Sequence, residues 1–183
     1  MPLPAPGRYL PAMTVRREEP RDQLAVESVV RRAFGEERVV GLVAALRPAT
    51  LSLVAEEAGE VVGHIMFSRC LLDAPPRLVE VQTLSPLSVV PEWQRRGIGS
   101  ALIAAGLREL DERGVPLVFL EGDPAYYSRA GFTTARDHDF RKPSLRIPDP
   151  GFQVVRLSAY EPWMTGTFVY ADTFWENDCV GLR

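Results

Sequence analysis

Residues 84–110, LSPLSVVPEWQRRGIGSALIAAGLREL, constrain the fold most, because they set a strand, a glycine-bearing loop and a long helix in direct succession. Leu87, Val89 and Val90 suit a strand, and Pro91, with no N–H to give a ladder, ends it. Beyond the loop, Ile103, Leu107 and Leu110 recur at i, i+4 and i+7. Leu102 and Gly106 widen that stripe, while Arg108, Asp111 and Glu112 take the opposite side. The pattern predicts an amphipathic helix whose first turn follows two glycines. The first amides of a helix have no intrahelical acceptors, and the aligned peptide dipoles add partial positive charge there, so this end attracts anions. Gly97 and Gly99 let an anion approach the main chain closely, and Arg95 and Arg96 add formal charge. These residues predict a phosphate or pyrophosphate cradle.

Three known cradles differ in the letters they require. The phosphate loop of nucleotide hydrolases needs Gly-Lys-Ser/Thr, but Gly99 is followed by Ser100 and Ala101. The dinucleotide fingerprint needs a third glycine where Leu102 stands, although the order of strand, loop and helix fits and Glu121 ends the next apolar run. It stays open as a rival. So does a plain core helix opened by a glycine turn, which accounts for the stripe but not for two arginines beside two glycines. The third signature, Gln/Arg-x-x-Gly-x-Gly/Ala, is matched letter for letter by residues 94–99. Through it the chain resembles the GNAT superfamily of N-acetyltransferases. Val89-Val90-Pro91-Glu92 before the loop and Ser100-Ala101-Leu102 after it carry the resemblance further.

Upstream, residues 14–16 read as a strand, Asp22 stands where a helix N-cap is wanted, and Val26, Val29, Val30, Ala33 and Phe34 keep helical spacing up to Gly35. Val39, Leu42, Val43 and Leu46 predict a second helix, stopped by Pro48. Strands are expected over 50–56 and 60–72, joined at Ala58-Gly59, and over 78–90. After the long helix and its Gly114 cap, 116–120 reads as a buried strand, 124–129 as a short helix opened by Asp123 and Pro124, and 153–158 as another strand. This order resembles a whole GNAT domain over residues 13–160. It implies an α/β fold with a mixed, mostly antiparallel central sheet, flanked by helices and splayed at the central strand near Val90. Residues 1–12, with four prolines, read as a flexible leader, which makes Met13 a candidate native start. Residues 161–183 read as a C-terminal extension packing on the domain or at an interface. Its Trp163, Phe168, Tyr170, Phe174 and Trp175 could wall a pocket, mediate a homodimer or simply pack on the core.

Size and charge bound the function. A chain of 183 residues suits one domain with a full core. With 21 basic and 24 acidic residues the net charge is −3, which gives no electrostatic case for nucleic acid or an anionic membrane and is compatible with cationic amines. No apolar run approaches the roughly 20 residues that span a bilayer. Cys70 and Cys179, without a CxxC or a neighbouring histidine, and a start without a signal-peptide core point to the cytoplasm. No metal site is expected, because His64 and His138 are the only histidines, and Asp137, His138 and Asp139 are contiguous and would not converge.

Two further stretches bear on chemistry. Residues 127–132, from Tyr127 to Gly131-Phe132, match the family's Tyr-x-x-x-Gly-Phe, and Leu84-x-Pro86-Leu87-x-Val89 resembles a bacterial branch whose members are mostly assigned by homology. The resemblance implies transfer of an acetyl group from acetyl-CoA, as cosubstrate, to a primary amine on a small molecule or peptide, by direct attack in a ternary complex. It implies that the backbone of Leu87, Ser88 and Val89 pairs with the pantetheine arm and that the Val89 N–H serves the thioester oxygen. The amides of Arg95, Arg96, Gly97, Ile98, Gly99 and Ser100 would hold the pyrophosphate. Tyr127 would be the general acid, since a phenol of pKa about 10 stays protonated at neutral pH; a core tyrosine with a satisfied hydroxyl is the plainer alternative. Glu121 is the candidate base near where several relatives place a glutamate. The linker to Tyr127 is shorter than usual and lacks the asparagine often found there, so a solvated strand-end carboxylate, His64, Glu80 or a water chain stay open. The acceptor pocket is expected from the helix pair over 22–47 and the tail after Pro150. A non-catalytic acyl-coenzyme A-binding or sensing module is the rival function.

Overall fold

A computed structural model describes residues 13–181, so the expected leader over 1–12 lies outside the described residues. The chain runs β1 (Thr14–Arg17), α1 (Gln23–Phe34), α2 (Glu37–Leu46), β2 (Thr50–Glu57), β3 (Glu60–Ala74), β4 (Arg77–Val89), α3 (Ile98–Glu112) and β5 (Leu117–Glu121). It continues with α4 (Pro124–Tyr127), β6 (Thr133–Thr134), β7 (Phe140–Arg141), β8 (Phe152–Arg156), β9 (Gly166–Val169) and α5 (Asp172–Glu176). The strands form one sheet in the order β1-β2-β3-β4-β5-β8-β6, with β9 on β3 and β7 on β9. Among the described residues only β4–β5 and β7–β9 are parallel. The sheet is thus mixed and mostly antiparallel, as expected.

Alternation along the strands divides the core between two faces. Met66, Cys70, Leu72, Val81 and Phe119 pack under α1 and α2, while Ile65, Phe67, Leu84, Val118 and Leu120 pack under α3. The stripe read from the sequence is the buried face of α3, where Leu102, Ile103 and Leu110 are almost fully enclosed. Each contributes roughly 1.5–3 kcal/mol by leaving water. α3 lies close to β3 because Gly106 carries no Cβ; one added there would sit 2.1 Å from the Phe67 ring.

The splay has a definite origin. β4 and β5 are paired only at Gln82↔Val118 and Thr83↔Phe119, after which they part. At the same level the β3–β4 register shifts: Phe67 faces Leu84 but Ile65 faces Leu87, so Ser85 and Pro86 form a bulge. From Leu84 onward β4 therefore has a neighbour on one side and an open cleft on the other.

One local expectation is corrected. Asp22 precedes α1, but its carboxylate caps no α1 amide. It accepts the Glu19 N–H at 2.8 Å and two bonds from Arg16, at 2.6 and 3.0 Å, because that buried group gains more from a guanidinium than from a neutral amide. The aromatics after Gly166 divide between two of the roles expected for them, with Phe168 and Phe174 in the core and Tyr170 at a cavity wall. Phe168 faces Leu72 on β3, and Phe168 and Phe174 are wholly buried, so this segment extends the sheet along the edge that β2 leaves.

Candidate active site

The loop after β4 is held open by its own residues. Trp93 N–H bonds Val90 O at 2.9 Å, Glu92 takes Arg32 of α1 with both oxygens at 2.7 Å, and the Gln94 side chain donates to Val89 O at 3.0 Å. Arg95 and Gly97 both take left-handed backbone, with φ of 60° and 82°. Ala101 N–H makes the first helical bond, to Gly97 O at 3.0 Å. The amides of Ile98, Gly99 and Ser100 thus have no intrahelical acceptor at the positive end of a 15-residue helix. Nothing lies within 4 Å of the position a Cβ would take on Gly97, so the approach to those amides is open. Arg95 and Arg96 are exposed beside them, with Arg96 stacked on Trp93 at 4.6 Å. The geometry suits a diphosphate.

The edge of β4 leads from this end into the cleft. Val90 N–H bonds Val62 O of β3 at 3.0 Å, and antiparallel bonds alternate, so Leu87 turns its amide and carbonyl away from β3 toward the cleft, and Val89 its amide, the Val89 carbonyl being taken by Gln94. Ser88 turns the other way: it lies opposite His64, buried, with no hydrogen-bond partner for its hydroxyl. Of the three residues expected along a pantetheine arm, Leu87 and Val89 are the two that present main chain to the cleft.

A cavity of about 390 Å³ opens there, floored by residues 84–87 of β4 and walled by Phe34, Arg38, Val39 and Leu42 of the helix pair. Glu121, Gly122 and Tyr127 close one side, and Tyr170, Cys179 and Gly181 bring the C-terminal segment to the other. Asp123 accepts the Ala125 N–H at 2.9 Å and so starts α4, which aims Tyr126 and Tyr127. Tyr127 packs edge-on against Phe132 and lies so close over Gly122 that a Cβ there would fall 2.4 Å from its ring. Burial, with Tyr126 beside it, pushes the Tyr127 phenol above its usual range, so the hydroxyl keeps its proton. Tyr126 reaches the cradle instead: a Cβ on Gly99 would lie 2.2 Å from its hydroxyl.

Glu121 ends β5 at the cavity wall. Its Oε1 accepts the Tyr170 hydroxyl at 2.8 Å, and the Gly181 N–H donates to Oε2 at 3.0 Å. Burial raises its pKa, while Tyr170, Gly181 and the charge of Arg146 pull it back. It is therefore neither a solvated strand-end carboxylate nor unpartnered. The other candidate bases lie elsewhere. His64 is fully buried, its Nε2 is 2.9 Å from the Ser52 hydroxyl, and burial holds its pKa at about 3. Glu80 is exposed and paired with Arg69 at 2.6 Å. His138 bonds Thr133 at 2.9 Å, and the described residues hold no cluster able to ligate a metal. Nor is any of their helices long and apolar enough to cross a membrane. Sequence reasoning left Tyr170 among several roles for the aromatic tail. The spacing of Phe168 and Tyr170 behind Gly166 suits residues on one face of an extended segment, but nothing local marks Glu121 as the partner of Tyr170.

A splayed sheet, open amides at a helix start and a tyrosine at the cleft suit an acyltransferase of the acetyl-CoA-using type, and the comparisons with known proteins show that class. The model of the acetyltransferase (GNAT) domain matches residues 14–135, and the chain belongs to that family. It is 36% identical over 152 residues to the uncharacterized N-acetyltransferase YhbS of Escherichia coli (strain K12), covering 80% of this chain and 88% of that protein. The crystal structure of Escherichia coli YhbS in complex with CoA superposes with a TM-score of 0.81 at 32% identity, over 95% of each chain. A GNAT family acetyltransferase from Brucella melitensis in complex with acetyl-CoA gives 0.72 at 33% identity, over 89% of this chain and 98% of that one.

Proposed function

We propose that the chain binds acetyl-CoA along the β4 edge and the α3 cradle and transfers its acetyl group to a primary amine held in the cavity. The observation that carries this is the convergence of Glu121 and Tyr127 on one cavity beside the open edge of β4. The coenzyme supplies a thioester, whose carbonyl must be polarised and whose thiolate must leave. The amides of Ile98, Gly99 and Ser100, with Arg95, Arg96 and Gly97, hold the diphosphate, and Leu87 and Val89 pair with the arm. The Val89 N–H donates to the carbonyl oxygen as negative charge builds on it. Tyr127, kept protonated by burial, gives its proton to the departing sulfur. Glu121 takes the proton of the incoming ammonium, and burial raises its basicity toward the range where such a base works. The amine attacks directly: Cys70 is buried in the core, and Cys179, which lines the same cavity, has its thiol pushed up by burial and so lacks the thiolate a covalent route needs.

Incubation with acetyl-CoA and a panel of primary amines, read as free thiol, tests the proposal. Amine-dependent release that falls about 100-fold or more in Glu121→Gln is expected. Tight binding of acetyl-CoA with no release for any amine would favour the non-catalytic binding module.

A further inference from the structure

The Glu121 carboxylate is gripped from a part of the chain 49 and 60 positions away. Oε1 takes the Tyr170 hydroxyl at 2.8 Å, and the Gly181 N–H is shared between Oε2 at 3.0 Å and Oε1 at 3.3 Å. Each donor is itself fixed. The Tyr170 ring is 5% exposed and packs on Phe168 and Phe174, with centroids 4.7 Å away in both cases. The segment before Gly181 is pinned by Arg38, which donates to Asp178 O at 2.8 Å, by Arg146 on the Asp178 carboxylate at 3.3 Å, and by the Cys179 N–H on Phe174 O at 2.9 Å. Two anchored donors on one carboxylate restrict how it can turn, and that carboxylate belongs to the cavity lining.

We propose that Tyr170 and the Gly181 amide act as a positioning clamp on Glu121, making the C-terminal segment part of the acceptor site; this rests on the assignment of Glu121 as the acceptor-side base. Both donors bond the ionised carboxylate, so they favour the form that can accept a proton and oppose the burial that disfavours it. The other ionisable groups around the carboxylate are Asp123 and Tyr127 after β5, Glu36 and Arg38 on the helix pair, Arg146, and Cys179 on the tail; residues 84–87 of β4 contribute none. Removing a donor leaves burial less opposed, so the pH below which Glu121 is protonated rises.

The test is the pH profile of kcat/KM for Tyr170→Phe, which keeps the ring and deletes only the hydroxyl. Its acid limb is expected to move up by about one pH unit, lowering kcat/KM about tenfold on the acid side and little on the plateau, with acetyl-CoA affinity unchanged. Truncation after Val180, which replaces the amide donor by the like charge of the new chain-end carboxylate and leaves the Tyr170 packing in place, is expected to move the limb further in the same direction and serves if Tyr170→Phe does not fold. Glu121→Gln separates the two claims. Loss of the limb in Glu121→Gln, with the Tyr170→Phe and truncated limbs unmoved from wild type, overturns the clamp alone. A wild-type profile in Glu121→Gln overturns the assignment of the base beneath it.

Discussion

Replacing Gly97 by aspartate separates the cradle's electrostatics from its shape. Gly97 sits at φ 82°, where an L-residue pays about 1–2 kcal/mol, and asparagine and aspartate are among the side chains that tolerate this backbone best. No atom lies within 4 Å of the new Cβ, so the substitution costs no clash in the free protein. Gly97→Asn therefore carries the backbone penalty without the charge and is the reference. A carboxylate at that position comes within roughly 5 Å of an anion on the neighbouring amides, which at an effective dielectric of about 20 costs about 3 kcal/mol per charge pair. Gly97→Asp should thus bind acetyl-CoA about 150-fold more weakly than Gly97→Asn. Titration calorimetry at about 0.05 M and about 0.5 M salt reads the difference, which should narrow as the Debye length shortens. Affinities for the two variants within twofold of each other at low salt would refute the cradle.

Other outcomes follow from the same geometry. Tyr127→Phe should lower kcat by about 100-fold or more while changing acetyl-CoA affinity less than threefold, as single-turnover and binding measurements would show. His64 makes stability fall with acid: its folded pKa of about 3 lies below the unfolded value of 6.5, so the unfolded chain alone takes up the proton in that window. The stabilisation is complete above pH 6.5 and wanes as pH falls toward 3, by about 1.4 kcal/mol per unit, so urea midpoints from pH 7.5 to 5 should drop further in wild type than in His64→Gln. Iodoacetamide should alkylate Cys179 before the buried Cys70, slowly at neutral pH because burial raises the Cys179 thiol, and the adduct should block amine turnover while sparing acetyl-CoA binding. Peptide mapping and activity read both effects.

What was legible in the sequence was local. The cradle is encoded within a few residues, because a left-handed Gly97, the arginines beside it and the α3 stripe all act at short range. The same holds for Tyr127, whose direction follows from the Asp123 cap, the helix start and the Gly131 stop. Long-range contacts were not legible. That Glu121 is claimed by Tyr170 and Gly181 depends on β9 joining β3, a pairing between residues about 100 apart that no local period announces. Asp22 shows competition between signals: a capping position predicts an amide partner, but the fold brings Arg16 within reach and the charged pair wins. His64 alternated with apolar residues and so left its partner open; the partner is Ser52, one strand over.

A crystal structure of the chain with acetyl-CoA tests the central claim most directly. The account predicts the diphosphate on the amides between Arg95 and Ser100, the arm along Leu87 and Val89, and the sulfur beside the Tyr127 hydroxyl, with the cavity at Glu121 left for the amine. Coenzyme bound away from the α3 N-terminus, or a sulfur remote from both Tyr127 and Glu121, would contradict it.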